Sequence, residues 1–324
     1  MHLTTGVFWT GTHRAQIGID PRIAVDLTGL SPAELDLVDS LSRPQTDVEL
    51  RARADARHIP RERLTQLLEA LTRAGVLDTT ERYSCDPHAW RRIFGVYPQH
   101  REHSHVHIPH LDYLGAGIAL GLVRNGIGIV TTSDHNAVST RDHPLMRHIG
   151  LGTARSTTLR TLLRQENPHI CLATTHEPQL VVLTGSYTTD PVRAGRYLAA
   201  GKMVYHAWVD EIDVYAGPLS IAHETACGTC LALHRYESDE RWGILCQQAC
   251  AAAPLLPDPA AAMLATALAV RDILSALDGH RVEYSWRVPP PPDPPEAHIV
   301  TTHPRCGCHN ILGPAEVTTP DNRQ

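Results

Sequence analysis

Lysine is almost missing from this chain. Of 29 cationic side chains only Lys202 is a lysine, and the other 28 are arginines. No Gly-Lys-Ser or Gly-Lys-Thr triplet occurs, which excludes a Walker-type phosphate loop. Chemistry that needs a lysine must use Lys202 or do without. A GC-rich coding bias accounts for the excess of Arg, so the scarcity alone carries no function. Phe is scarce too, with two in the chain, so a core must be built from Leu, Val, Ile and Ala. The hydrophobic share of 42% is enough for one. Excess positive charge is also lacking: the 324 residues carry a net charge of −6, where a nucleic-acid-binding chain would show a basic stripe. No apolar run reaches the length of a membrane span. The segment Met1-His-Leu-Thr-Thr-Gly6 has neither the charged nor the apolar region of a secretory signal. The expected location is the cytoplasm, with no membrane and no nucleic acid as partner. Eight cysteines are too few for a disulfide scaffold, and in a reducing compartment close pairs point to metal.

What is present falls into two patterns. Residues 1–80 alternate as short strands over 6–12, 15–19 and 24–28. Ser31 then caps a helix that has Pro32 at its first position and Leu35, Val38 and Leu41 on its apolar face. A second helix starts at Thr46. A third starts at Pro60, with Leu64, Leu67, Leu68 and Leu71 inward and Gly75 at its C-cap. Residues 76–77 close the module as a short strand. Strands plus three helices predict a winged-helix-like module. Residues 81–104 read as a polar linker. From 105 onward strands and helices alternate, which predicts an α/β fold on an open parallel sheet. Its expected strands are 106–113, 127–133, 169–173, 180–184, 203–206 and 282–288. A hairpin over 209–218 precedes the first cysteine pair, and residues 259–277 read as a long buried helix. Pro289 to Pro295 reads as a stiff polyproline spacer. The α/β domain is expected over 105–313, with a disordered tail over 314–324.

Two cysteine pairs stand out. Cys227-Gly-Thr-Cys230 and Cys306-Gly-Cys308 each offer two sulfurs from a tight turn, as a closed four-thiolate structural zinc site requires. His303 and His309 flank the second pair as alternative ligands. Cys85, Cys171, Cys246 and Cys250 read as small hydrophobes with no basic neighbour to activate them.

Leu114-Gly-Ala-Gly-Ile-Ala-Leu-Gly121 resembles a dinucleotide loop but is out of register. The acid that ends the next strand is Asp134. Counting back about 20 residues from it puts the three loop glycines at His110, Asp112 and Gly115. Two of the three are lost, and Asp112 sets a carboxylate where a helix N-terminus would hold phosphate. Gly117 and Gly121 then fall inside the helix, where small residues allow close packing on the sheet. Asp134 remains a candidate ribose acid. His110, Asp112, Gly115 and Asp134 together read as a vestigial nucleotide site, and bound ATP is not expected.

At this point the chain resembles a family, the Ocin-ThiF-like proteins of azoline and thiopeptide biosynthesis. The segments that carry the likeness are Gly18-Ile-Asp-Pro-Arg22 through Leu27-Thr-Gly-Leu-Ser-Pro-Ala-Glu34, then Leu67-Leu-Glu-Ala-Leu-Thr-Arg-Ala-Gly-Val-Leu77 and Leu180-Val-Val-Leu-Thr184. Gly217-Pro-Leu219, Cys227-Gly-Thr-Cys-Leu-Ala-Leu-His-Arg235 and His303-Pro-Arg-Cys-Gly-Cys308 follow. The resemblance implies a PqqD-like peptide-recognition element followed by a ThiF-type Rossmann-like domain with a four-Cys zinc. It implies a role in holding the leader of a ribosomally made precursor peptide. The leader would be presented to a YcaO-type cyclodehydratase, which closes Cys, Ser or Thr into azolines.

Active ThiF-type enzymes adenylate a C-terminal carboxylate. The arginine that follows their strand-end acid is not cleanly matched, since Arg141 and Arg147 are out of step. Their lysine would fall near Thr153 and their metal-linked aspartate near Ser186, and both are absent. Lys202 lies in a turn and reads as solvated. The chain is therefore expected to bind a leader and not to be an enzyme on its own, with a divergent ATP-dependent adenylyltransferase as the alternative. Edge-strand addition would place the leader beside residues 23–28. Val25, Leu27, Leu64, Leu67, Leu68 and Leu71 would line its pockets, and Arg61, Arg63 and Arg73 would face an acidic leader. A homodimer through the sheet domain is expected by analogy alone.

Overall fold

The structure, a computed structural model, describes residues 1–78 and 98–309. Cys85, most of the 81–104 linker and the 314–324 tail lie outside the described residues. The chain divides into two compact units, Met1–Gln99 with Arg124–Gly126, and His100–Val123 with Ile127–Gln324.

The first unit is the expected set of small strands and three helices. Strands β2 (Val7–Gly11), β3 (Arg14–Ile17) and β4 (Val25–Thr28) form one antiparallel sheet in the order β2-β3-β4. Ala15 and Ile17 point into the core while Arg14 and Gln16 do not, as the two-residue period of a strand requires. The closing strand β5 (Leu77–Asp78) pairs with β1 (His2–Leu3) as a separate ribbon. Helix α1 (Pro32–Ser40) opens on a capping box: the Glu34 amide donates to Ser31 Oγ and the Ser31 amide donates to the Glu34 carboxylate. Helix α2 (Asp47–Ala56) repeats the device with Thr46 and Glu49. Helix α3 (Arg61–Arg73) buries Leu64, Leu67 and Leu71. It ends where the Val76 amide donates to the Leu71 carbonyl across Gly75.

The second unit is built on a seven-stranded sheet in the order β12-β11-β10-β9-β8-β6-β7. Strands β6 (His105–His107), β7 (Ile129–Thr131), β8 (Leu180–Ser186) and β9 (Met203–Val209) are parallel. Strands β10 (Val214–Ser220), β11 (Ser285–Val288) and β12 (Glu296–His298) continue the sheet antiparallel. Leu180 to Leu183 are all buried, because β8 is covered on both faces. Val106, Leu180, Val182 and Tyr205 share a core with α4 (Tyr113–Arg124) and α10 (Pro259–Leu277). Val181, Leu183 and Val204 meet Ala194 of α7 (Pro191–Ala199).

Several expectations change. The expected strand at 169–173 is a single bridge from Cys171 to Ile129. Its neighbours His169 and Thr174 are polar, and Asn167 turns the chain there. The polyproline stretch is the turn of the β11–β12 hairpin, and it connects neighbouring strands where a spacer was expected. Residues 98–104, assigned to the linker, include a 3₁₀ turn over Gln99–His103, and Arg101 there is buried against the Asp278 carboxylate at 2.6 Å. Helix α10 meets the length and apolarity of a membrane span, which the reading of apolar runs missed. It packs on β9, β10 and β11 and carries the buried Asp272. Its burial is one-sided, with Met263 72% exposed. Lys202 is not a free turn residue: it pairs with Glu177 and is only 17% exposed.

Candidate functional site

The parallel strands run out to β7 on one side of β6 and return through β8 on the other. A crevice opens where that order reverses, outside the carboxyl ends of β6 and β8. It holds a cavity of about 280 Å³ walled by His110, Asp112, Asn136, Arg155, Ser186 and Arg193, among others. The structure therefore brings His110, Asp112 and the loop around Asp134 to one place.

Asp112 precedes α4 and caps it. Its Oδ1 accepts from the Gly115 amide at 2.8 Å, so a carboxylate of the chain itself fills the anion-binding end of the helix. Burial pushes its acid up to about 6, against the pull of the Gly115 amide and the Thr184 hydroxyl. Gly115 is required by close approach: a Cβ there would stand 2.2 Å from the His110 carbonyl oxygen. Gly117 and Gly121 do not serve the sheet as expected. They admit Thr266 and Val270 of α10, and a Cβ at Gly121 would lie 2.6 Å from Val270 Cγ2.

Asp134 is buried and fully engaged. One oxygen accepts from the Leu111 amide at 2.9 Å and from Arg155 at 3.1 Å, and the other accepts from the Asn136 amide and side chain. Burial raises its pKa, but these donors outweigh burial and the net shift is downward. A ribose would have to displace one of them. Arg155 is equally committed, since its fork also reaches both oxygens of Asp142, at 2.6 and 3.2 Å. Sequence reading missed Arg155 and Asp142, because nothing in their local spacing announces a pairing between residues this far apart.

Where a lysine was sought, Thr153 donates to the Gly150 carbonyl at 2.7 Å. Ser186, where an aspartate was sought, accepts from the Leu255 amide at 2.9 Å. The crevice does hold a second carboxylate, Asp190, which caps α7 through the amides of Val192 and Arg193. The Asp190-Pro191 pair at a helix start was a legible signal for it. Arg193 donates to Nε2 of His110. Burial and the adjacent Arg193 charge both lower the His110 pKa, which favours the neutral imidazole that accepts from Arg193.

The four cysteines converge on one buried point. Their sulfurs are 3.8 Å apart for Cys227–Cys230, 3.5 Å for Cys227–Cys306 and 3.4 Å for Cys230–Cys308. A disulfide needs about 2 Å. A tetrahedral ion with sulfur at about 2.3 Å sets its ligands just under 4 Å apart, so the donor set suits a metal ion. Cys227 and Cys230 stand at the N-terminus of α8 (Gly228–Ser238), whose dipole favours thiolates. His303 is not a ligand here. Its amide donates to Cys230 Sγ at 3.3 Å while its ring faces Glu237. The His309 side chain lies outside the described residues. Behind the first pair, buried His206 joins Thr189 at 2.7 Å and Ser220 at 3.1 Å, and Ser220 donates to the Ala226 carbonyl. This chain fixes the approach to Cys227.

In the first unit the proposed leader pockets are mostly closed. Leu27, Leu64, Leu67 and Leu71 are core residues, because α1 and α2 pack over them, and only Val25 and Leu68 are partly open. Strand β4 is an edge, bonded to β3 alone among the described residues, and so is β2, whose Phe8 and Trp9 are exposed. Arg63 is tied to Glu34 at 2.5 Å and is not free for a leader.

No protein-family model matches the chain, and no curated protein does. Solved structures do. The chain is similar to Escherichia coli MccB with selenomethionyl MccA, with a TM-score of 0.61 and 13% identity over 95% of this chain and 99% of that one. MccB with ATP gives 0.58 and 12%, over 95% and 98%. PaaA gives 0.59 and 13%, over 93% and 99%. At such identity the likeness is one of fold, and the fold is ThiF-type.

Proposed function

We propose that this chain holds the leader of a ribosomally made precursor peptide and presents it to a YcaO-type cyclodehydratase for azoline formation. The observation that carries the non-catalytic part is the Asp112 carboxylate on the Gly115 amide. An adenylating enzyme needs that helix end, and a cation beside it, for phosphate. Here the end is occupied, and Arg155 is consumed by Asp134 and Asp142.

The first unit supports the peptide part. An extended leader would add to the open edge of β4, with main-chain bonds for affinity and with Val25 and Leu68 beside it. The resemblance seen in the sequence points the same way, as does the shared fold with MccB, which was solved in complex with N-formylated MccA. Zinc is the ion the four thiolates would hold. With every position filled by protein it would be structural, locking the chain around Cys306 to α8.

A second reading, a divergent adenylyltransferase, draws on Asp190 and on the crevice at the strand switch. ATP–pyrophosphate exchange with the full chain and the precursor separates the two. The proposal expects exchange at background, and robust exchange would establish the second reading.

A further inference from the structure

Helix α8 carries more than Cys227 and Cys230. One turn beyond Cys230, His234 Nε2 donates to the Thr301 carbonyl at 2.9 Å. On the same face Glu237 Oε1 lies 2.9 Å from Nε2 of His303 and 3.6 Å from the Arg305 guanidinium. The segment from Thr301 to Cys308 is thus strapped along the helix that bears the first cysteine pair. The His303 ring is fully buried, and its Nδ1 accepts from the Arg305 amide at 3.1 Å. Nε2 therefore bears the proton and faces the Glu237 carboxylate.

His234, Glu237 and His303 also lie close enough together to suggest a second metal. The Arg305 amide argues against it, because the proton on Nε2 stands where a metal lone pair would be needed. The cluster is a latch and not a ligand set.

We infer that Glu237 is a positioning residue for the four-cysteine centre, and that it sets how slowly the centre releases its metal. The inference rests on the zinc reading above. The physical reason is effective concentration. When one sulfur leaves the ion, the latch keeps Cys306 and Cys308 beside Cys227 and Cys230, so rebinding outruns capture by a competitor. Without the Glu237 contacts the second pair keeps only the ion, the His303 amide on Cys230 Sγ and the His234–Thr301 bond.

The test uses the full chain loaded with zinc and challenged with excess chromogenic chelator, with release followed by absorbance. Glu237→Gln is expected to release zinc roughly tenfold faster, the usual scale for groups that orient metal ligands. Zinc stoichiometry and the thermal midpoint of the loaded protein are expected to stay as in wild type, which a general loss of stability would not allow. Should that variant fail to fold, Glu237→Asp draws the carboxylate back from His303 and is read by the same criteria. Release at the wild-type rate overturns the latch and leaves the zinc reading intact. Wild-type protein without stoichiometric zinc overturns the zinc reading itself, and the latch with it.

Discussion

Asp112 shows how one side chain can close a site. Its carboxylate satisfies the Gly115 amide at the start of α4, and it does so in a half-buried crevice that resists charge. Its pKa is raised on folding, so the native state binds the proton more tightly than the unfolded chain. Its contribution to stability is therefore complete below about pH 4 and declines as pH rises toward about 6. Asp112→Asn keeps the oxygen that caps α4 and removes the charge. It is expected to stabilise the protein at pH 7.5 by about 1–2 kcal/mol, discounted for the open side of the crevice, with the gain shrinking at pH 4.5. Urea unfolding at both pH values checks this. Asp272 is a contrasting residue, buried to accept from the Tyr205 hydroxyl at 2.9 Å and Trp286 Nε1 at 3.0 Å. Asp272→Ala strands both donors and is expected to cost about 2–4 kcal/mol in the same measurement. The four cysteines, Asp112 and Asp134 were legible because each sits at a spacing that chemistry restricts. Arg155 and Asp142 were not, since an ion pair between a loop and a helix start leaves no periodic trace.

At the scale of elements, the small residues of α4 serve a helix–helix contact. Gly117 and Gly121 are one turn apart, and so are Thr266 and Val270 on α10. Gly121→Ala would press a methyl on the stiff branched Val270 and is expected to cost about 2 kcal/mol. Gly117→Ala meets Thr266 at 3.2 Å and should cost clearly less. Thermal unfolding of the two variants tests the order. The strands and helices were readable where caps and periods were strong, as at Ser31, Thr46 and Leu64 to Leu71. They were misread where composition misled. Seven residues of mostly proline looked like a rod and form a hairpin turn, and a strand was placed at Cys171 where the sheet makes one bridge. Which side chains of α3 stay open could not be read either, because burial of Leu64 and Leu67 depends on where α1 and α2 pack.

At the scale of the whole molecule, the proposal joins a leader on the open edge of β4 to a ThiF-type fold in which Asp112 takes the Gly115 amide and four converging cysteines could hold a metal ion. Cys306→Ser is expected to abolish stoichiometric zinc and lower the unfolding midpoint by roughly 5 °C or more, checked by metal analysis and calorimetry. The lone lysine fits this picture: Lys202 is spent on Glu177, away from the crevice walls. The most direct test is a fluorescence-polarisation titration of the full chain with a labelled synthetic leader of a ribosomally made azoline-peptide precursor. The account predicts saturable binding that ATP and magnesium leave unchanged and that Val25→Glu with Leu68→Glu weakens at least roughly tenfold, the equivalent of about 1.4 kcal/mol. Absence of binding, or binding that the paired substitution does not touch, would contradict it.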